Sequence, residues 1–320
     1  MKFVAVLSGE CVELSLAELG AHVEAQGSGF KVCDRADQIV VFEADDGVDF
    51  SWIALAHEVC LFFGNHLDDL DTAMLDGKVK VRGRKVGRDV SLSVSDVEKK
   101  VGKRLCDNGI KVDFSSGCVA RVYVCAKKCY FGKVVWSADK KGLAARDAKF
   151  RPYFAAGTLG AVHARAFVNL LRCSKGDVVA DPFCGSGAFL IEAGLMGMDV
   201  FGCDICRKHV AGACRNLLHY GVSDYEVVVM DALDCGCLKK KFDGVVCDLP
   251  WGKSTVMKYG KEELVRGFMG ILPKILKRGN YAVVACDVPQ LWHPPELALV
   301  DKFEIYVHRS AKRYVWVFQK

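Results

Sequence analysis

The chain has no run of about 18 consecutive apolar residues, the length a membrane-spanning helix needs, although half of its 320 residues are hydrophobic. Its opening stretch, MKFVAVLSGECVELSLAEL, meets an acid before any signal-peptide cleavage pattern is complete. Both absences predict a soluble, cytoplasmic protein with no membrane contact. Internal repeats and low-complexity tracts are also missing, which excludes solenoid and disordered architectures. Cysteine is plentiful at 16 residues, but no second pair follows Cys203-x-x-Cys206, Cys125-x-x-x-Cys129 or Cys235-x-Cys237 at finger or ribbon spacing. Scattered through apolar segments, as at Cys118, Cys247 and Cys286, the thiols read as small hydrophobes, and no metal is expected.

Positive charge is scarce at one end only. Residues 1–76 carry 3 Lys/Arg against 15 Asp/Glu, whereas residues 77–150 carry 19 against 7. The net charge of +5 conceals this asymmetry. The segments KVKVRGRKVGR and EKKVGKR hold Lys80, Arg82, Arg84, Lys85, Arg88, Lys103 and Arg104. Such a cluster suits a phosphate-contacting surface, because each neutralised phosphate releases condensed counterions. Pairing with the acidic segment before it is the equal alternative.

Hydrophobic periodicity divides the chain. FVAVLS, LSLAELGAHVEAQ and QIVVFEA predict strand, helix and strand, and FSWIALAHEVCLFFG predicts a further helix. KVKVRGRKV reads as a strand, SDVEKKVGKRLCDNG as a helix with Ser95 as cap and Glu98 completing a capping box, and CVARVYVCAKKCYFGKVVW as paired strands. This half is α+β, and the polar run SADKKGLAARDAKFRP after it reads as a linker. From DVVADPFCGSGAFLIEAGLM onward, strands alternate with helices of 10–15 residues, the pattern of a doubly wound parallel sheet. The last two strands, FEIYVHR and YVWVFQ, lie too close for a crossover helix and predict an antiparallel hairpin.

In such a sheet ligands sit beyond the carboxyl ends of the strands. Asp181, Asp204, Asp231 and Asp248 fall there in order, and Gly185 and Gly187 let the first turn approach a ligand closely. Asp204 lies 23 residues after Asp181, near the spacing at which an acid takes ribose hydroxyls. A dinucleotide-binding G-x-G-x-x-G is missing. Asp181, directly before the D-P-F-C-G-S-G turn, would repel a pyrophosphate but suits a ligand with a cationic amino-acid end, such as S-adenosyl-L-methionine.

The stretch DLPWGKS, residues 248–254, then acquires a role. An exocyclic base amine is a weak nucleophile because its lone pair is delocalised into the ring. If the Asp248 carboxylate and the Leu249 carbonyl accept its hydrogens, the nitrogen can aim that lone pair at a sulfonium methyl. Pro250 stiffens the turn, Trp251 offers a face for an extruded base, and Gly252 leaves room for the base plane.

DPFCGSGAFLIEAG with DLPWGKS resembles the amine-methylating, S-adenosylmethionine-dependent methyltransferases, whose usual motif is Asp/Asn-Pro-Pro-Tyr/Phe/Trp. FRPYFAAGTLGAVHARAFVNL resembles the segment before the catalytic domain in THUMP-containing tRNA guanine-N2 methyltransferases. LSGECVELSLAELGAHVEA and VHRSAKRYVWV resemble the archaeal-type enzymes that modify guanosine 10 of tRNA. The resemblance implies a Rossmann-like class I methyltransferase domain over 156–320, with a seven-stranded sheet and antiparallel C-terminal hairpin. It would follow a ferredoxin-like part (1–50), a THUMP RNA-binding domain (51–136) and a linker (137–155). The matched motifs would set Asp181, Gly185 and Gly187 against the methionine moiety, Asp204 against the ribose and Asp231 against the adenine amine. Thr158 would lie over the cofactor, with Phe183, Ile205, Ala232 and Asp248 also in contact, and residues 248–251 would hold the target guanine. Two departures stand out: Leu249 replaces the first proline of the usual motif, and AAG at 155–157 replaces a commoner His-Pro-containing stretch. The implied activity is N2 methylation of tRNA guanosine 10, to the mono- or dimethyl product. Alternatives are amine methylation at another RNA site, such as tRNA guanine 6 or a ribosomal base, and a non-catalytic RNA-binding subunit. The partner expected is tRNA, the chain a monomer or weak oligomer, with a small activating subunit left open.

Overall fold

A computed structural model describes residues 1–251 except 69, 76, 89, 127 and 156, and then residues 260–308 and 311–320. Gly252 and the rest of GKS therefore lie outside the described residues. Two compact units are present: Met1–Ser51 with Leu55–Ala138, and Trp52–Ala54 with Asp139–Lys320. Among the described residues no helix is long and apolar enough to cross a membrane.

The first unit comprises β1 (Lys2–Leu7), α1 (Val12–Glu24), β2 (Lys31–Ala36), β3 (Ile39–Glu43), β4 (Ala56–Gly64), β5 (Lys78–Lys85), α2 (Val94–Asp107), β6 (Lys111–Val112), β7 (Val119–Cys125) and β8 (Lys128–Ser137). One eight-stranded sheet runs through it, in the order β2-β3-β1-β4-β8-β7-β5-β6. The helix expected over FSWIALAHEVCLFFG is instead β4. It lies between β1 and β8, antiparallel to both, and its two faces enter different cores, Cys60 and Phe62 one and Phe63 the other. A central strand buried on two faces gives a continuous apolar run that periodicity alone does not separate from a helix. The cap of α2 also differs. Ser93, not Ser95, accepts the Asp96 N–H at 3.3 Å, and Glu98 turns away from the helix start to accept the Gly83 N–H of β5.

The second unit holds α3 (Lys140–Ala145), α4 (Ala161–Asn169), β9 (Val178–Asp181), α5 (Ala188–Leu195), β10 (Asp199–Asp204), α6 (Arg207–His219), β11 (Tyr225–Val229), β12 (Phe242–Asp248), α7 (Lys261–Ile275), β13 (Leu276–Cys286), β14 (Ala298–His308) and β15 (Ala311–Gln319). The sheet order is β11-β10-β9-β12-β13-β15-β14. The first five are parallel, and β15 inserts antiparallel between β13 and β14, as the predicted hairpin requires. The chain reverses outward at β9/β12, which opens a crevice at the carboxyl ends of those strands. Phe201, Phe242, Phe268, Leu272 and Trp316 are among the apolar side chains packed beneath it. The polar run read as a linker is partly helical and anchored. Arg146, which caps α3, donates two hydrogen bonds, at 2.9 and 3.1 Å, to the fully buried Glu192 of α5.

Within the first unit Glu58 is the buried polar centre. Arg121 grips it through Nε and Nη2, each at 2.7 Å, the Tyr123 hydroxyl donates at 2.5 Å, and Ser137 adds a bond of 3.2 Å. Burial pushes the Glu58 carboxyl upward, but the bonds from Arg121 and Tyr123 outweigh it and leave the group below its ordinary range. This support is therefore present above the unfolded carboxyl pKa, about 4.3, and is lost as pH falls through the depressed folded value. Arg121→Met should lower stability by about 3–5 kcal/mol at neutral pH, because an unpaired buried carboxylate remains. Arg121→Met combined with Glu58→Gln should recover most of that loss in urea unfolding.

Candidate active site

Four acids meet at one end of the second sheet. Asp181 and Asp248 end adjacent parallel strands, β9 and β12, and Asp204 ends β10 on the other side of β9. Asp231 follows β11 and opens a 3-10 turn, where its carboxylate accepts the Leu233 N–H at 3.0 Å.

The turn after β9 is closed by Gly187 N–H to the Cys184 carbonyl, 2.7 Å, and Cys184 N–H to the Cys203 carbonyl, 2.9 Å. Gly185 and Gly187 have φ of +49° and +82°, a left-handed region costly for side chains. A Cβ on Gly187 would press against Ala213 of α6 at 3.3 Å, so this glycine serves helix packing. Among the described residues a Cβ on Gly185 would meet only the Phe183 carbonyl, at 4.0 Å, so no described atom crowds the turn there. Thr158 is pinned to the same turn by its hydroxyl, 3.0 Å from Ser186 Oγ. Phe183 packs edge-on against Phe268, with ring centroids 5.0 Å apart.

The acids are answered unequally. Asp204 accepts from the Gly185 and Cys206 N–H groups at 3.0 and 2.8 Å, and His209 Nδ1 lies 3.3 Å away. Next to it Ile205 leaves 43% of its surface exposed, an apolar platform beside a carboxylate, while Ala232 near Asp231 is buried. Asp181 is 1% exposed and, among the described residues, receives one hydrogen bond, from the Phe183 N–H at 3.0 Å. Burial raises its carboxyl well above the ordinary range, and Asp204 and Asp248 add to the raise. Such a group is complementary to a cation.

At the neighbouring tip the Asp248 carboxylate is gripped from one side. Arg313 donates from Nη2 to Oδ2 at 2.8 Å and from Nε to Oδ1 at 3.4 Å, and the Trp251 indole N–H donates to Oδ1 at 2.9 Å. The guanidinium carbon of Arg313 stands 4.5 Å from the Trp251 ring centroid. Burial pushes the Asp248 carboxyl up, the Arg313 charge and hydrogen bond pull it down, and the balance remains raised. Its side chain is still 18% exposed, so the site is reachable. Leu249, where the usual motif has proline, buries its side chain and donates its N–H to the Ala285 carbonyl at 2.8 Å. A proline has no such donor.

Arg313 and His209 were not singled out from the sequence. Arg313 lies 65 positions from Asp248, inside the segment VHRSAKRYVWV, and no spacing rule joins them. Strand register does: Asp248 pairs with Ala285 and Ala285 with Val315, so Arg313, two residues earlier, faces the same side.

In the first unit Lys80, Arg82 and Arg84 alternate with buried Val79 and Val81 along β5. Arg82, Arg84, Lys85, Arg88 and Lys103 are exposed. Arg104 is not free in the same way, since its Nη2 donates to the Asp68 carbonyl at 3.0 Å. Phe114, 71% exposed, carries the Arg82 guanidinium 5.4 Å from its ring centre.

The sheet order, the glycine turn and the acid-proline-aromatic tip define a methyltransferase domain, and residues 148–292 match the model of the RMKL-like methyltransferase domain. The chain is 31% identical to the tRNA (guanine(10)-N2)-dimethyltransferase of Methanothermobacter thermautotrophicus over the whole of both chains. It is 30% identical to that of Pyrococcus abyssi over 100% of this chain and 99% of the relative. It belongs to the tRNA (guanine(10)-N2)-dimethyltransferase family. Among solved structures, TrmN from Thermus thermophilus shares the fold over all of both chains, at 22% identity and a TM-score of 0.52. A second, 13% identical with a TM-score of 0.52 and covering 99% of this chain and 97% of its own, is a complex with SAH.

The buried charge of Asp181 costs stability once pH exceeds the unfolded aspartate pKa, about 3.9, and the cost grows as pH rises through the elevated folded value. Asp181→Asn should therefore raise the unfolding midpoint of the ligand-free protein at pH 7, by on the order of 1–3 kcal/mol in stability. The gain should shrink toward pH 4 in thermal scans.

Proposed function

We infer that this protein transfers a methyl group from S-adenosyl-L-methionine to the exocyclic N2 of a guanosine in tRNA, at position 10, and adds a second methyl as its relatives' names state. The observation that carries this reading is the pairing of two unlike carboxyls on adjacent strands: Asp181, buried and answered by a single amide, and Asp248, oriented by Arg313 and Trp251.

The residues present fit S-adenosyl-L-methionine. Asp181 suits its ammonium end, and the open space before Gly185 admits its chain. Asp204, fixed by two backbone amides, retains lone pairs for ribose hydroxyls, and exposed Ile205 offers an apolar surface to the adenine, with Asp231 beyond it. When bound, the cofactor supplies an electrophilic methyl on a sulfonium. The chain's own work is orientation. Asp248 accepts an N–H of the target amine, which localises the nitrogen lone pair and disperses the positive charge that develops on it. Pro250 and the Leu249–Ala285 bond fix the turn that presents this carboxylate, and Trp251 supplies an aromatic surface for a base outside its stack. We assign tRNA binding to the first unit, as a ferredoxin-like part (1–50) and a THUMP domain (51–136) joined by 137–155 to the catalytic domain (156–320). The exposed basic row on β5, with Phe114 beside it, supports that assignment through phosphate contacts and stacking.

Incubating the protein with unmodified tRNA and labelled S-adenosyl-L-methionine, then mapping the product by mass spectrometry, should place the label on N2 of guanosine 10. Asp248→Ala should lower transfer at least about 1,000-fold with tRNA affinity nearly unchanged; lost binding with intact turnover per complex would refute the role. Reversing the charges of Arg82, Arg84 and Lys85 should weaken tRNA binding and reduce the slope of log Kd against log salt by about 0.7 to 0.9 per phosphate contact removed.

A further inference from the structure

The donors on Asp248 have a chemical identity worth comparing with the substrate. Arg313 presents two N–H groups of one planar guanidinium to the two oxygens of the carboxylate, through Nη2 at 2.8 Å and Nε at 3.4 Å. The same guanidinium sits against the Trp251 indole. Guanine contains the same fragment: N1, C2, N2 and N3 form a guanidine, and N1–H and N2–H project side by side as a two-donor fork. Adenine presents one amine donor beside the N1 lone pair, which would face a carboxylate oxygen unfavourably.

We propose that Arg313 is an internal placeholder for the target guanine, occupying the carboxylate and the indole face that the base takes when it enters. This rests on the methyltransferase reading above and adds a specificity element to it: Asp248 reads N1–H together with N2–H. Three features of the structure support the assignment. Carboxylate and guanidinium are both mostly buried, with side chains 18% and 11% exposed, so neither is a surface pair free to exchange with water. Arg313 stands near the start of β15 rather than within the catalytic turn, so it can leave without dismantling the Leu249–Ala285 bond. The Trp251 N–H binds Oδ1 independently of Arg313 and holds the carboxylate plane while the fork is exchanged. Before tRNA arrives, Arg313 keeps the carboxylate oriented and its charge compensated. On entry, the base presents a neutral fork of the same shape, so both carboxylate oxygens keep a donor while the Arg313 charge moves away; the loss of the ion pair is the cost that substrate binding must meet. Arg313 is thus a positioning residue that competes with substrate.

Two measurements test this. With the unaltered enzyme, tRNA carrying 2-aminopurine at the target position keeps the N2 amine but loses N1–H. Its kcat/KM should fall roughly 100-fold or more, because a site built for two donors rejects a base that offers one; equal rates for the two bases would overturn the proposal. Arg313→Ala and Arg313→Lys should both lower KM for tRNA about three-fold or more, since the competent site is no longer occupied from within, while kcat also falls. Lysine keeps the charge but not the fork. A Lys variant with wild-type KM, or an unchanged or raised KM in both variants, would show an electrostatic or structural role and overturn the placeholder. Failure of the unaltered enzyme to methylate ordinary tRNA would instead defeat the underlying reading.

Discussion

Negative charge held at the apolar ends of parallel strands is the constraint around which the catalytic unit is arranged. A carboxylate removed from water must be met by a cation or by hydrogen-bond donors, or else take up a proton. The three acids nearest the crevice are met in three ways. Asp204 is fixed by two backbone amides with His209 beside it, which still leaves lone pairs for neutral hydroxyls. Asp248 is held by a planar fork and an indole N–H, and so suits a flat ligand with donors in a row. Asp181 has one amide and two acidic neighbours, and so favours a cation. The donors already present thus indicate which kind of ligand atom each acid can still accept.

The antiparallel strand β15 has a consequence that a wholly parallel sheet would lack. Parallel strands bring only their carboxyl ends to the crevice. Because β15 runs the other way, its beginning lies there, with Tyr314 opposite Cys286 and Arg313 one residue further out. Both residues of the Asp248–Arg313 pair therefore project from strands of the ordered sheet, and their mutual geometry is set by the register of β12, β13 and β15. A loop-borne arginine would have to be ordered at an entropic cost on each encounter. The same hairpin buries Val315, Val317 and Phe318, so the core that fixes the register also fixes the charge.

Where one physical signal dominated, the sequence was informative. The alternation of strands and helices after residue 150, the glycine turn and the acids at strand ends rest on local patterns, and the sheet follows them. The final hairpin followed from connection length alone. The failures were equally physical. The second half of β4, VCLFF, is continuously apolar because Cys60 and Phe62 pack into one core and Phe63 into another, and burial on both faces erases the two-residue period that would have identified it. For α2, two serines stand within reach of the helix start; Ser93 takes the cap, and Glu98, which the local pattern would turn back onto the helix start, is engaged instead by Gly83 of another strand. The polar run at 137–155 also holds a structural contact that no local pattern gives, since Arg146 reaches a buried glutamate 46 residues away. Arg313 was hidden for the same reason, since the pairing that gives it meaning is non-local.

Leu249 shows how a departure from a motif can be absorbed by its surroundings. A proline there would restrict the backbone by its ring but leave the Ala285 carbonyl without the donor it has now. Leucine gives up the ring and gains that hydrogen bond, which extends the β12–β13 ladder one residue beyond Asp248. Its side chain also joins the core under the crevice. The following Pro250 still limits the conformations open to Leu249, because a residue before proline is driven to extended backbone. Extended backbone is what a further ladder bond requires, so the two restraints act in the same direction. The carboxylate of Asp248 is consequently presented from a strand end that is held on both sides, by the ladder through Leu249 and by the Trp251 indole, and the chemistry of the tip does not depend on having two prolines.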